Sequence, residues 1–275
     1  MFFDADIKGS DLPARTLVLT YDDGPGPRTA ELGQYLLGED IQATFFVIGR
    51  HAKERAETLT ALHCCGHTIG NHTYSHPGLV ALAEAGGDVV GELTRTDAIV
   101  RVFADNGPIC FRAPYGNWRQ IDPSTNEDKK HSIVAEQLNR SGRFSDYIGP
   151  VNWDISAEDF AFWRHGASAA EAAEAYLREI EAIGRGIVLM HDSSDDPVIA
   201  RQNRTLELTM LLVPALQRRG YRFVPLQELP AVKSILAKRN VATRKRENPY
   251  VGAPDARHGS DDYLQSPGRD ASLAR

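Results

Sequence analysis

Little in this sequence is suited to disulfides, to nucleic acid or to a bilayer. Its 275 residues include 3 cysteines. That odd number, with Cys64 and Cys65 adjacent, does not read as a disulfide framework. The adjacent pair also lacks the C-x-x-C spacing of a zinc or redox site, and Cys110, after Ile109 in an apolar run, reads as a small core residue. There is no long basic stretch and the net charge is −6, which argues against nucleic acid and against an anionic membrane surface as partners. No apolar run approaches the length that spans a bilayer. The start, Met1-Phe-Phe-Asp-Ala-Asp6, meets an acid early and has no apolar core, unlike a secretory signal. That favours a cytoplasmic protein, although a secreted chain already relieved of its signal would begin the same way.

What is present is an ordinary globular composition, 42% hydrophobic and 25% charged, in which strands and helices alternate. Strands are expected over Thr16–Tyr21, Ala43–Ile48, His67–Gly70, Pro108–Arg112, Val151–Ile155, Gly186–Met190 and Tyr221–Val224. Helices are expected over Thr29–Leu37, His51–Leu62, Ala81–Phe103 (weakened at Gly86-Gly87), Ser168–Ile183 and Thr205–Arg219. Gly116–Pro150 is irregular, with one helical segment over Ile133–Arg140. Such alternation implies an α/β fold, a parallel sheet with helices outside. Seven units in about 230 residues suit a closed barrel, while a doubly wound sheet has the same periodicity. One catalytic domain is expected over residues 1–237, with a short helix around Val232–Arg239. Residues 238–275, rich in Arg, Asp, Gly, Ser and Pro, are expected to form a disordered or loosely docked tail.

Chemistry-bearing residues gather where strands end. The first strand delivers Asp22 and Asp23, and Gly24-Pro25 stops it. His72 and His76 are four apart. In a helical turn both rings lie on one face and can share a metal; otherwise they are two ordinary histidines. Arg112-Ala-Pro-Tyr115 follows the fourth strand. A buried arginine there holds a carboxylate by a bidentate pair, or the segment is a plain turn. Asn152–Phe160 mixes acids and aromatics after the fifth strand, and the sixth ends in His191. Random placement would scatter these groups over both ends of the sheet.

Together these segments resemble the polysaccharide deacetylases, carbohydrate esterase family 4, whose NodB-homology domain carries five motifs in this order. They match as Thr20-Tyr-Asp-Asp-Gly-Pro25, His72-Thr-Tyr-Ser-His76, Arg112-Ala-Pro-Tyr115, Ser156-Ala-Glu-Asp159-Phe160 and Leu189-Met-His191, within residues 15–230. The resemblance implies a distorted (β/α)7-type barrel and one divalent ion held by Asp23, His72 and His76. Zinc is the first expectation, and this donor set also accepts cobalt, nickel or manganese. It further implies Asp22 as general base, Arg112 orienting it, the Tyr115 N–H at the oxyanion, and His191 as general acid tuned by Asp159. Leu189, Phe160 and Trp153 would shape the pocket for the acetyl methyl. The implied reaction is hydrolysis of N-acetyl groups on an amino-sugar chain, of chitin-oligosaccharide or peptidoglycan type, so the partner is an acetylated carbohydrate. O-acetyl esters of xylan type, small non-sugar amides, and a carbohydrate-binding relic without catalysis are the alternatives.

Three positions depart from the pattern. Ser156 stands where the fourth motif has Asp, Phe160 replaces its Trp, and Tyr21 replaces a common Phe. Asp154, two residues before Ser156 on an expected strand, would face the same side and partly substitute for the missing acid. His51, His63, His67, His131, His165 and His258 match no motif and read as structural or surface residues.

Overall fold

The computed structural model describes residues 2–105 and 107–247. The chain divides into a compact unit, Met1–Ile235, and a second unit, Leu236–Arg275. In the first unit the elements run β1 (Thr16–Asp22), α1 (Thr29–Gly38), β2 (Thr44–Val47), α2 (Gly49–Glu54), α3 (Ala56–Cys64), β3 (Thr68–Asn71), α4 (Leu79–Glu84) and α5 (Val89–Val100). A small hairpin of β4 (Ile121–Asp122) and β5 (Glu127–Asp128) follows, then α6 (Ile133–Arg140), α7 (Asp159–Arg164) and α8 (Ala169–Ile183). The last elements are β6 (Gly186–His191), α9 (Pro197–Gln202), α10 (Thr205–Arg218), β7 (Arg222–Phe223) and α11 (Pro230–Glu247). Of the second unit the described part is the helical stretch 236–247 that ends α11; the expected tail falls mostly outside the described residues. Among the described residues no helix is long and apolar enough to cross a membrane.

β1 is the axis of the sheet. All seven of its residues are buried, as in a parallel strand covered on both faces, whose sequence is a near-continuous apolar run. The parallel order is β3-β2-β1-β6, and β7 pairs with the first residues of β1. Thr20 is level with Leu189, and Asp22 with His191. Beyond β3 the ring continues through single bridges, Asn71 with Phe111 and Cys110 with Ile148. It returns to β6 where Ile155 meets Val188. The result is a closed, distorted (β/α) barrel.

Two expected strands, Pro108–Arg112 and Val151–Ile155, are thus reduced to isolated bridges. Pro150 has no N–H to give to a ladder, and the side chain of Asp154 accepts from Ile187 N at 2.8 Å. The helix expected over Ala81–Phe103 is two helices: Gly86 turns at φ 71°, and the Asp88 side chain caps α5 by accepting from Gly91 N. The helix expected over His51–Leu62 breaks at Arg55, whose φ of −129° is not helical. α8 has the clearest local signals, a capping box of Ser168 with Glu171 and a left-handed Gly184 at its end.

Candidate active site

β1 brings Asp22 and Asp23 to the C-terminal edge of the barrel. Both are buried. Asp23 has φ 69°, a backbone state that L-residues avoid, and this turn sends the two successive carboxylates to different partners. Gly24 follows because a Cβ there would overlap the Asp192 carboxylate.

Asp22 belongs to Arg112, which is wholly buried. Arg112 Nη1 donates to Asp22 Oδ1 at 2.7 Å and to Thr20 Oγ1 at 2.9 Å. Thr20 and Asp22 are two apart on a strand and share a face, so one nitrogen reaches both. Nε donates to Val151 O and Nη2 to Asn152 O, and the guanidinium lies 4.3 Å from the Phe46 ring centroid. Burial pulls the Arg112 pKa below its ordinary value, with Asp22 opposing. The pair uses one carboxylate oxygen, not the two expected. Asp22 Oδ2 is left 3.7 Å from His72 Nε2.

Asp23 faces both histidines. The 72–76 segment is a strained turn and not a helix, with Thr73 at φ 66° and His76 at φ 61°; it still brings the ring centroids to 4.9 Å. Glu92 of α5 holds this turn. Its carboxylate accepts from Tyr74 N at 3.0 Å, Ser75 N at 2.8 Å and Ser75 Oγ at 2.9 Å. Asp23 Oδ1 lies 3.1 Å from His76 Nε2 and 3.5 Å from His72 Nε2. These three residues are the only such His/Cys/Asp/Glu group among the described residues, their donor atoms all within 4.8 Å of one another.

The chemistry of this donor set fits a divalent cation. His72 Nδ1 is 2.8 Å from Arg112 O. A carbonyl only accepts, so Nδ1 carries a proton, and Nε2 is the nitrogen left to present a lone pair toward the two carboxylates whenever the ring is neutral. Asp23 Oδ1 is buried with no hydrogen-bond partner among the described residues. Burial alone would raise the Asp23 pKa, yet His72 and His76 hold it well below the usual carboxylate range. Burial would likewise lower His72, and Asp22 and Asp23 raise it instead. A lone-pair nitrogen and an unpartnered carboxylate oxygen aimed at one point are what a cation between them satisfies.

His191 ends β6. Its Nδ1 donates to Asp159 Oδ1 at 2.7 Å, and its backbone N–H donates to Asp159 Oδ2 at 2.8 Å. Asp159, the first residue of α7, has no exposed surface. Burial disfavours the imidazolium, but Asp159 outweighs it, with smaller contributions from Asp23 and Asp22, and the His191 pKa is pushed up to about 10. The Asp159 carboxylate thus favours the imidazolium form of His191. Replacing Asp159 by Asn should lower that pKa and move the alkaline limb of kcat/KM to lower pH by at least one unit, since one unit is only about 1.4 kcal/mol of lost interaction. A pH–rate profile with an unmoved limb would detach Asp159 from this role.

A cavity of about 520 Å³ joins these groups, lined by Asp22, Asp23, His72, His76 and His191 together with Tyr115, Trp153, Phe160 and Leu189. That volume lies in the range of small-molecule sites. Phe160 stands edge-on to His191, centroids 5.6 Å apart. Ser156 also lines the cavity, but Asp154 does not replace its missing acid. Its Oδ2 accepts from Gly9 N at 2.7 Å and from Ile187 N, which ties it to the far end of β6. The alternation rule fails there because 151–155 is not a regular strand.

Three contacts were not legible in the sequence. The Tyr115 side chain, 72% exposed, places its hydroxyl 3.1 Å from His76 Nδ1. His51, which read as a structural or surface residue, puts Nδ1 2.8 Å from the carbonyl oxygen of Asp23. Asp195, which belongs to no motif, lines the cavity. Only the motif around Tyr115 carried any signal, and that was for its backbone.

Residues 9–131 match the family model described as polysaccharide deacetylase. A chitooligosaccharide deacetylase of Azorhizobium caulinodans is 31% identical over 221 residues, 77% of this chain and 92% of that one. A peptidoglycan-N-acetylglucosamine deacetylase of Bacillus cereus is 28% identical over 209 residues, 74% of this chain and 67% of that one. Among solved structures, the chitin deacetylase of Colletotrichum lindemuthianum superposes with a TM-score of 0.60 at 27% identity, covering 79% of this chain and 88% of that one. Isolated motif matches do not extend along nearly the whole of a relative, and the chain belongs to the polysaccharide deacetylase family, carbohydrate esterase family 4.

Proposed function

We propose that this protein is a metal-dependent N-deacetylase of an acetylated amino-sugar chain, of the chito-oligosaccharide or peptidoglycan type. The observation that carries the reading is the convergence on one cavity of an Arg-held carboxylate, a His–His–Asp donor set and an Asp-paired imidazole. The chitooligosaccharide and peptidoglycan-N-acetylglucosamine deacetylases among its relatives support the amino-sugar class. A divalent ion held by Asp23, His72 and His76, with zinc the proposed species, would lower the pKa of bound water and polarise the acetyl carbonyl.

The chain's own groups supply the rest. Arg112 occupies Asp22 Oδ1, which aims Oδ2 toward the cavity as the acceptor for the proton of the attacking water. That water's oxygen bonds the acetyl carbon, and the developing oxyanion meets the Tyr115 N–H. His191, its Nδ1 engaged by Asp159, offers Nε2–H to the amine as the carbon–nitrogen bond breaks, releasing acetate and a free amino sugar. Leu189, Phe160 and Trp153 surround the methyl and exclude bulk water.

The test is acetate release from a panel of chitin oligosaccharides, peptidoglycan and acetylxylan, with metal analysis of the same sample. Release from the amino-sugar substrates is the expected result; release from acetylxylan alone would replace N- by O-deacetylation. Dialysis against a chelator is expected to abolish activity and one equivalent of zinc or cobalt to restore it. Full activity in the metal-free protein would overturn the mechanism.

A further inference from the structure

The loop after β6 carries His191 at one end and Asp195 at the other. Asp195 is only partly exposed and lies among three nitrogen-bearing side chains from other parts of the chain. Its Oδ1 forms an ion pair with Arg50 Nη2 and lies 3.1 Å from His51 Nε2. Its Oδ2 is 3.9 Å from His76 Nδ1. Arg50 and His51 both belong to α2. His51 Nδ1 faces the Asp23 carbonyl at 2.8 Å, and a carbonyl only accepts, so the ring must donate from Nδ1. The backbone of α2 also grips the histidine turn, since Gly49 N donates to Thr73 O and Arg50 N to Tyr74 O. One short helix therefore touches Asp23 and the 72–76 turn, and one carboxylate locks that helix to the loop that begins at His191.

We infer that Asp195 is a positioning residue: with His51 and Arg50 it forms a bridge between α2 and the loop after β6 that fixes Asp23 and His76 as a pair for a divalent cation. The inference rests on the proposed metal centre. Asp23 and His76 both stand at positive φ, so each needs external support to hold its geometry. The bridge provides it from outside the donor set, at the Asp23 carbonyl through His51 and at the backbone of the 72–76 turn through Gly49 N and Arg50 N, while the His76 ring is met at Nδ1 by the Tyr115 hydroxyl at 3.1 Å. Outer partners of metal-binding side chains typically change metal affinity 10–100-fold when removed.

The experiment measures zinc affinity of the full chain by competition with a chromophoric chelator, together with the visible spectrum of the cobalt-substituted protein. Asp195→Ala and His51→Gln are each expected to weaken zinc binding 10–100-fold and to alter the cobalt bands. In His51→Gln, which lies outside the cavity lining, kcat should recover at excess zinc. Thermal melting of the metal-free variants checks that they fold; if Asp195→Ala does not, Asp195→Asn takes its place, retaining the shape without the charge. Wild-type zinc affinity and cobalt spectrum in either folded variant overturns the bridge. A wild-type protein that binds zinc yet releases no acetate would instead overturn the deacetylase reading and leave the bridge standing.

Discussion

With asparagine at position 22, turnover is expected to fall by about a hundred- to ten-thousand-fold, the range that general base catalysis supplies, while the divalent ion stays bound. Asparagine matches the carboxylate in shape, and its carbonyl oxygen can keep the 2.7 Å bond from Arg112. The atom left facing the cavity is then an amide nitrogen with two hydrogens, which accepts no proton. The donor set of Asp23, His72 and His76 is untouched. His76→Ala provides the contrast, because it removes one of three donors and should lower metal content as well as activity. Acetate release and metal content measured on the same preparations separate the two. Undiminished turnover in Asp22→Asn would place the base elsewhere.

The second large effect is on stability. Arg112→Leu should cost about 3–5 kcal/mol, the usual result of leaving one member of a buried ion pair without its partner. Domains are held by about 5–15 kcal/mol in total, so the variant should unfold at markedly lower urea. Beyond the orphaned Asp22 carboxylate, the substitution strips a donor from Thr20 Oγ1 and from the carbonyls of Val151 and Asn152, the stretch that closes the barrel back toward β6. Adding Asp22→Leu to Arg112→Leu removes the orphaned charge. The double variant should recover part of the loss while remaining inactive. Urea midpoints in the order wild type, double variant, single variant are the expected result. A single variant within about 1 kcal/mol of wild type would mean that water reaches Asp22 and relieves it.

Much of this was legible in the chain because strand ends carry a one-dimensional signal. An apolar run that stops at Asp22-Asp23, and another that stops at His191, each put their polar residues on the same edge of a parallel sheet. The α/β class followed from the strand–helix alternation, which fits a doubly wound sheet as well; the barrel followed from the resemblance to the deacetylase family. Where the reading failed, the cause was local. Asp154 was assigned by alternation, but the chain from Pro150 to Ile155 is held by single bridges, so its side chain turned to Gly9 and Ile187. The histidine pair was read through helical spacing, whereas a turn with two residues at positive φ brings the rings together. His51 and Asp195 were invisible for another reason. They meet across a sequence gap of more than a hundred residues, and neither lies at the tip of a strand. Nothing in the composition around Asp195 distinguishes it from Asp196, which caps α9 by accepting from Val198 N and Ile199 N.

The register that sets Asp22 level with His191 has a consequence for how this protein can fail. The two residues end adjacent paired strands, roughly 4.8 Å apart in the pairing direction. Their spacing is a lattice constant of the backbone, not a loop conformation. A slip of one residue would turn one of them to the opposite face, and no slip is available without unzipping the six paired positions between β1 and β6. The spacing of the two groups is thus set by backbone pairing, and loosened rim segments act on the donor set and the cavity entrance without pulling the two apart.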